Sequence, residues 1–271
     1  MGRKILASIK VNFKLFQRHH LLWVIYAILT FSLLFPLFFF LIGAFYHNSP
    51  FSLMQSIFEV VNTYLILIIA LLGIFVISSH IRTRYLKLIF TKPFTHKEYL
   101  LSIYLSIFVF GFLAFFLLTL IMVVMFIVYK IPFQVGLLYL IIQNFYIALK
   151  ASFILLLFGI FLHPIIAIFF YLFFINENSL YSLTLYAKEL TEKFTGLKQI
   201  LAKFLYGLSY FLYMIVPMDT PYSKEYGEVL RSWLVPAKGW YHLFITTIYM
   251  ILLFSLLFFL SNILLKKREI Y

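Results

Sequence analysis

Long unbroken apolar runs, rather than an alternating or striped pattern, dominate this chain. They cover residues 21–45, 58–79, 100–128, 135–162, 165–175 and 240–265. A helix needs about 20 apolar residues to cross a hydrocarbon core about 30 Å thick. All the runs except the fifth, 165–175, reach that length. Between them stand short turn-forming breaks: His47, Asn48, Ser49 and Pro50, then Tyr129, Lys130, Ile131 and Pro132, then His163 and Pro164. Proline ends one helix readily and starts another well, and Pro36 inside the first run predicts a kink. The pattern predicts about six transmembrane helices.

Two other segments show a striped pattern. Over residues 1–19, Arg3, Lys4, Lys10, Lys14 and Arg18 share one side of a helix at about 100° per residue, and Ile5, Leu6, Ile9, Phe13 and Phe16 share the other. This predicts a basic amphipathic helix lying in the interface of an anionic leaflet. No signal-peptide cleavage pattern follows it. In the mixed segment 176–239, Leu183, Tyr186, Leu190, Phe194, Leu197, Leu201, Phe204 and Leu208 recur at steps of three and four, with Lys188, Glu189, Glu192, Lys193 and Lys198 between them. An amphipathic helix or helix pair is predicted there, with Gly196 and Gly207 as candidate breaks.

Composition settles which solvent the long runs meet. The chain is 64% hydrophobic and 11% charged over 271 residues, with mean hydropathy +1.03, which leaves too few polar residues to cover a water-facing surface. Lipid admits only helices and closed barrels as spanning structures, and continuous rather than alternating runs select helices. The fold class is therefore an all-α integral membrane protein. It is read as one transmembrane domain over 1–271, with an N-terminal interfacial helix and an outer-side helical segment between the fifth and sixth spans. The charges orient it. With the N-terminus inside, the basic residues of 1–19, those of 80–99 (Arg82, Arg84, Lys87, Lys92, Lys97) and the closing Lys266, Lys267 and Arg268 all fall on the inner side. The expectation is a multi-pass plasma (inner) membrane protein with both termini cytoplasmic. The net charge of +13 flanks the spans and suits leaflet anchoring rather than nucleic acid.

Candidate chemistry is sparse. With no cysteine, disulfides, thiolate–metal sites and cysteine nucleophiles are excluded. The seven histidines are dispersed, and no phosphate-binding glycine loop, zinc motif or nucleophile elbow is present. No catalytic residue, metal ligand or cofactor of its own is expected. Thr95 followed by Glu98 is a capping-box pattern ahead of an apolar run, and Pro93 disfavours helix at Lys92. Residues Lys92, Pro93, Phe94, Thr95, His96, Lys97 and Glu98 thus predict a basic cytoplasmic elbow that a soluble partner could grip. Within the fourth run, Tyr139, Gln143, Tyr146 and Lys150 step by four, three and four onto one face. An ionisable residue at mid-span costs about 2.5–3.5 kcal/mol on insertion scales and should face protein or a wet cavity. The stripe is a polar path or substrate-facing surface between protomers, or else a snorkelling lysine or a polar helix–helix contact within one subunit. Glu59, Asn62 and Thr63 share a face at the outer start of the second run and either mark the interface or pair with the outer segment.

The stretch LKLIFTKPFTHKEYLLSIYLS, residues 86–106, resembles the intracellular elbow of the ABC-2-type ABC transporter permeases. The N-terminal basic helix is similar to that family's connecting helix, and LFGIFLHPIIAIFF (157–170) to its fourth-to-fifth span junction. Met214 to Pro217 and the closing SNILLKKREIY also follow the family pattern, in order along the whole chain. Where many members carry a Glu and a Gly-Thr pair before the elbow, this chain has His80, Ile81, Arg82, then Arg84 and Tyr85. The resemblance implies a permease subunit that is not itself an enzyme. Such a subunit pairs with a second permease, as a homo- or heterodimer, and docks through the elbow on ATP-binding subunits. ATP and Mg would be bound in those partners, and the complex would export a substrate. Two other readings remain open: a non-transporting subunit that transmits ATP-driven change to an outer-side assembly partner, and a polytopic membrane enzyme.

Overall fold

The computed structural model describes residues 2–18, 27, 50–82, 95–175, 177–215 and 239–269. The first apolar run with Pro36, and the elbow residues Lys92, Pro93 and Phe94, lie outside the described residues. Among the described residues all regular structure is helical: α1 (Gly2–Arg18), α2 (Pro50–Arg82), α3 (His96–Val128), α4 (Val135–Phe161), α5 (Pro164–Ile175), α6 (Glu177–Lys193), α7 (Leu197–Ile215) and α8 (Gly239–Glu269). Among the described residues four helices are long and apolar enough to cross a membrane, over Ile57–His80, His96–Val128, Val135–Phe161 and Gly239–Lys267. These are the second, third, fourth and last runs of the sequence. The fifth run forms α5, whose 12 residues extend about 18 Å at 1.5 Å per residue.

The chain divides into two compact units, Met1–Pro164 with Glu225–Tyr271, and Ile165–Lys224. In the first, α4 is the central helix, packed against α2, α8 and α3. Its closest neighbour is α2. A Cβ on Gly73 would collide with the backbone carbonyl of Ser152, and one on Gly159 would come within 2.6 Å of Ile77. Small residues on both helices let the backbones approach, which is how helices gain contact in lipid. The pairs Gly73 with Ser152 and Ile77 with Gly159 advance together, so α2 and α4 run in the same direction. So do α4 and α8, through Tyr139 with Trp240 and Phe153 with Phe254. α3 runs against them: Ile69 meets Gly111, and Tyr104 meets Ser261.

This arrangement gathers the C-terminal ends of α2 and α8 with the N-terminal end of α3. Lys97, Lys266 and Lys267 therefore lie at one end of the unit and Lys130 at the other. The outer face of α3 exposes Phe108, Phe112, Phe116, Leu120 and Ile127 in succession, a surface suited to hydrocarbon.

α1 packs along the first turns of α3. Ser8 hydrogen-bonds Ser102 at 2.8 Å, and Asn12 Nδ2 donates to Ser106 Oγ at 2.9 Å. Ser102 gives its own hydroxyl proton to the Tyr99 carbonyl, so Ser8 is the donor in the first pair. Phe13 approaches Phe110, with ring centroids 6.1 Å apart. The most buried side chain described on α1 is thus polar: Asn12 is 1% exposed, whereas Leu6, on the expected apolar face, is 58% exposed. Two serines on α3 offer partners that a leucine could not use, and Leu6 faces outward.

In the second unit, α6 and α7 form a hairpin. It turns at Gly196, whose φ of +66° lies in the left-handed region that favours glycine. Gly207, the other candidate break, sits inside a continuous α7. The ion pair of Lys193 with Glu189, 3.6 Å, is exposed and adds little.

Two glycine substitutions test this packing. Gly73→Ala should destabilise the detergent-solubilised protein by about 1–3 kcal/mol, because the Ser152 backbone must shift. Gly207→Ala meets nothing within 4 Å and should stabilise by about 0.5–1 kcal/mol through helix propensity. Thermal unfolding of the two variants beside the parent checks both signs.

Candidate functional site

α3 begins at the cap that its sequence predicts. Thr95 is extended (φ −79°, ψ 153°), and its Oγ1 accepts from the Glu98 amide at 3.2 Å. The Glu98 carboxylate accepts in return from the Thr95 amide, at 3.0 Å, and from the Thr95 hydroxyl, at 3.1 Å. Two of the helix's orphan donors are satisfied, and an anion is placed at the positive end of the helix dipole. Thr95 and Lys97 are exposed, His96 is half-buried and Glu98 is buried. His96 and Lys97 therefore belong rigidly to the first turn of α3.

One turn further in lies a contact that the sequence reading did not identify. His80, at the end of α2, meets the Tyr99 hydroxyl through Nδ1 at 2.7 Å. Both side chains are buried. The pair ties together the two helices that flank residues 83–94. Tyr104, on the next turn but one of α3, reaches Ser261 of α8 at 3.1 Å and packs on Phe153 of α4, ring centroids 4.3 Å apart. The start of α3 is thus fastened to α1, α2, α4 and α8 within three turns. The spacing of His80 from Tyr99 follows no helical period, so no local signal marks the pair.

The stripe of the fourth run does lie on one face, and that face meets α8. Tyr139 stands edge-on to Trp240, and Gln143 Nε2 reaches the Tyr139 hydroxyl at 3.4 Å. The Tyr146 hydroxyl lies 3.0 Å from Thr247 Oγ1; Thr247 donates to the Leu243 carbonyl, so Tyr146 is the donor between them. Lys150, 2% exposed, places its ammonium 5.7 Å from the Tyr249 ring centroid, a cation–π arrangement. Tyr139, Tyr146 and Lys150 thus form a polar seam between α4 and α8 of one chain, with Gln143 bonded to Tyr139 beside it. The other expected cluster divides. Glu59 and Thr63 are exposed, with Thr63 Oγ1 bonding back to the Glu59 carbonyl at 2.8 Å, while Asn62 is buried. Among the described residues, no group of three His, Asp or Glu could hold a metal.

Comparison with known proteins finds no matching family model, no matching curated protein and no matching solved structure.

A double-mutant cycle tests the α2–α3 fastening. Tyr99→Phe and His80→Phe should each destabilise, and the double variant should cost less than their sum, with a coupling of about 0.5–3 kcal/mol. Chemical denaturation in mixed micelles measures it.

Proposed function

We propose that this chain is the membrane-spanning permease subunit of an ABC transporter complex. It would move a substrate across the membrane using ATP hydrolysed by a separate subunit. The observation that carries the reading is the fastened start of α3. A push or pull on His96 and Lys97 enters a helix locked at its first turn by Thr95 and Glu98. It is then shared with α2 through Tyr99 and His80, and with α8 through Tyr104 and Ser261. Such a joint suits a segment that receives force from a soluble motor. The likeness of residues 86–106 to the permease elbow supports the same reading, as does the absence of any nucleotide-binding loop in the sequence. ATP and Mg would be held by the partner, and this chain would have no cofactor and no catalytic site of its own.

In the proposed topology six helices cross the plasma (inner) membrane. The run 21–45 is the first span and 165–175 belongs to the fifth. Both termini are cytoplasmic, consistent with the gathering of Lys97, Lys266 and Lys267 at one end of the first unit. Two permeases, identical or paralogous, pair in the membrane and export takes place between them. The seam of Tyr139, Gln143, Tyr146 and Lys150 would line that route only in a state where α8 has moved off α4.

Co-expression with neighbouring genes and purification in mild detergent tests the proposal. An ATP-binding subunit should co-elute, and the pair His96→Glu with Lys97→Glu should reduce its recovery by at least about tenfold, a loss of about 1.4 kcal/mol or more. Unfolding of the chain itself should be unchanged. A chain that purifies alone, with no ATPase under any condition, would overturn the proposal.

A further inference from the structure

α7 has two unlike faces. One packs on α6 through small or polar side chains, Ala202 and Ser209, with Ala187 buried opposite. The other carries Leu197, Ile200, Leu201, Phe204, Leu208 and Phe211, all exposed, Leu197 to 86% and Phe204 to 67%. At about 100° per residue these six fall within an arc of about 100°. Lys198 and Lys203 lie beyond its two edges and are exposed; they are the only charged residues of α7. The acids of the hairpin, Glu177, Glu189 and Glu192, are all on α6.

We propose that this face of α7 lies in the boundary between headgroups and acyl chains of a phospholipid leaflet. The six apolar side chains enter the upper acyl region, and Lys198 and Lys203 reach lipid phosphates. Charge selects this occupant over a second copy. The steps from Leu197 through Leu201, Phe204 and Leu208 to Phe211 match a heptad seam, but a zipper of two such helices would be flanked by lysines with no acid on α7 to pair them. The stripe is also wider than a two-position seam, since Ile200 and Leu205 are exposed beside it. A phosphate layer above an apolar slab complements both the lysine rim and the broad stripe. The hairpin keeps its more acidic helix, α6, on the opposite side. This inference stands independently of an ATP-binding partner.

The absence of cysteine allows single thiols to be placed without background. The full chain would be reconstituted in vesicles of phosphatidylcholine and phosphatidylglycerol, with a fluorophore on Leu201→Cys, Phe204→Cys or Leu208→Cys, or on the α6 controls Lys188→Cys and Glu192→Cys. Lipid spin-labelled near the headgroup should quench the three stripe labels at least about threefold more than the controls, and aqueous iodide should show the reverse order. Adding Lys198→Glu with Lys203→Glu should lower lipid quenching at position 201 by about twofold or more. Stripe labels open to iodide, or shielded from both quenchers as a protein-covered face would be, overturn the proposal. Lipid quenching at 201 that ignores the charge reversal overturns the role of the lysines.

Discussion

Helices immersed in hydrocarbon gain little by hiding leucine or phenylalanine from their surroundings, because lipid tails are as apolar as those side chains. Association then depends on how closely backbones can approach and on the few polar groups that need a partner. Both act at α4. Gly73 and Ser152 let α2 and α4 touch almost backbone to backbone, with Gly159 against Ile77 about two turns further along α4. On another face Tyr139, Tyr146 and Lys150 of α4 meet Trp240, Thr247 and Tyr249 of α8. A helix with small residues toward one neighbour and polar ones toward another has its rotation fixed, and its neighbours are fixed with it.

The same economy governs the end of the unit where the basic residues collect. Serines 102 and 106 of α3 receive Ser8 and Asn12 of α1, and Tyr99 receives His80. Each contact gives a polar atom its partner, and together they join α1 and α2 to the first turns of α3. That helix is therefore a shared element of its surroundings rather than a freely tilting span. A load applied at its exposed N-terminal residues is distributed instead of being absorbed locally.

The α6–α7 hairpin obeys the opposite logic. Its seam is built from alanine and serine and its large apolar residues point outward. In water this would leave a costly patch. Beside a bilayer it would be a surface matched to its solvent, with the rim lysines at the level of the phosphates.

The sequence by itself determined that the chain is helical and built for lipid. Continuous apolar runs placed the ends of α3, α4 and α8 within four residues and the C-terminal end of α2 within three, although α2 begins at Pro50, eight residues before its run. Thr95 with Glu98 marked the start of α3 four residues before its apolar run. The 4-3 spacing around Lys150 correctly put Tyr139, Gln143 and Tyr146 on one face, because spacing within a single helix is a local property. What that face meets was not legible. Nor were His80 with Tyr99, Asn12 with Ser106, or Gly73 with Ser152. A helix apolar on every side carries no stripe to say which side packs, and partners on different helices follow no sequence period. Only the tertiary structure, by fixing the rotation and direction of each helix against the next, decided which of the scattered polar residues became joints.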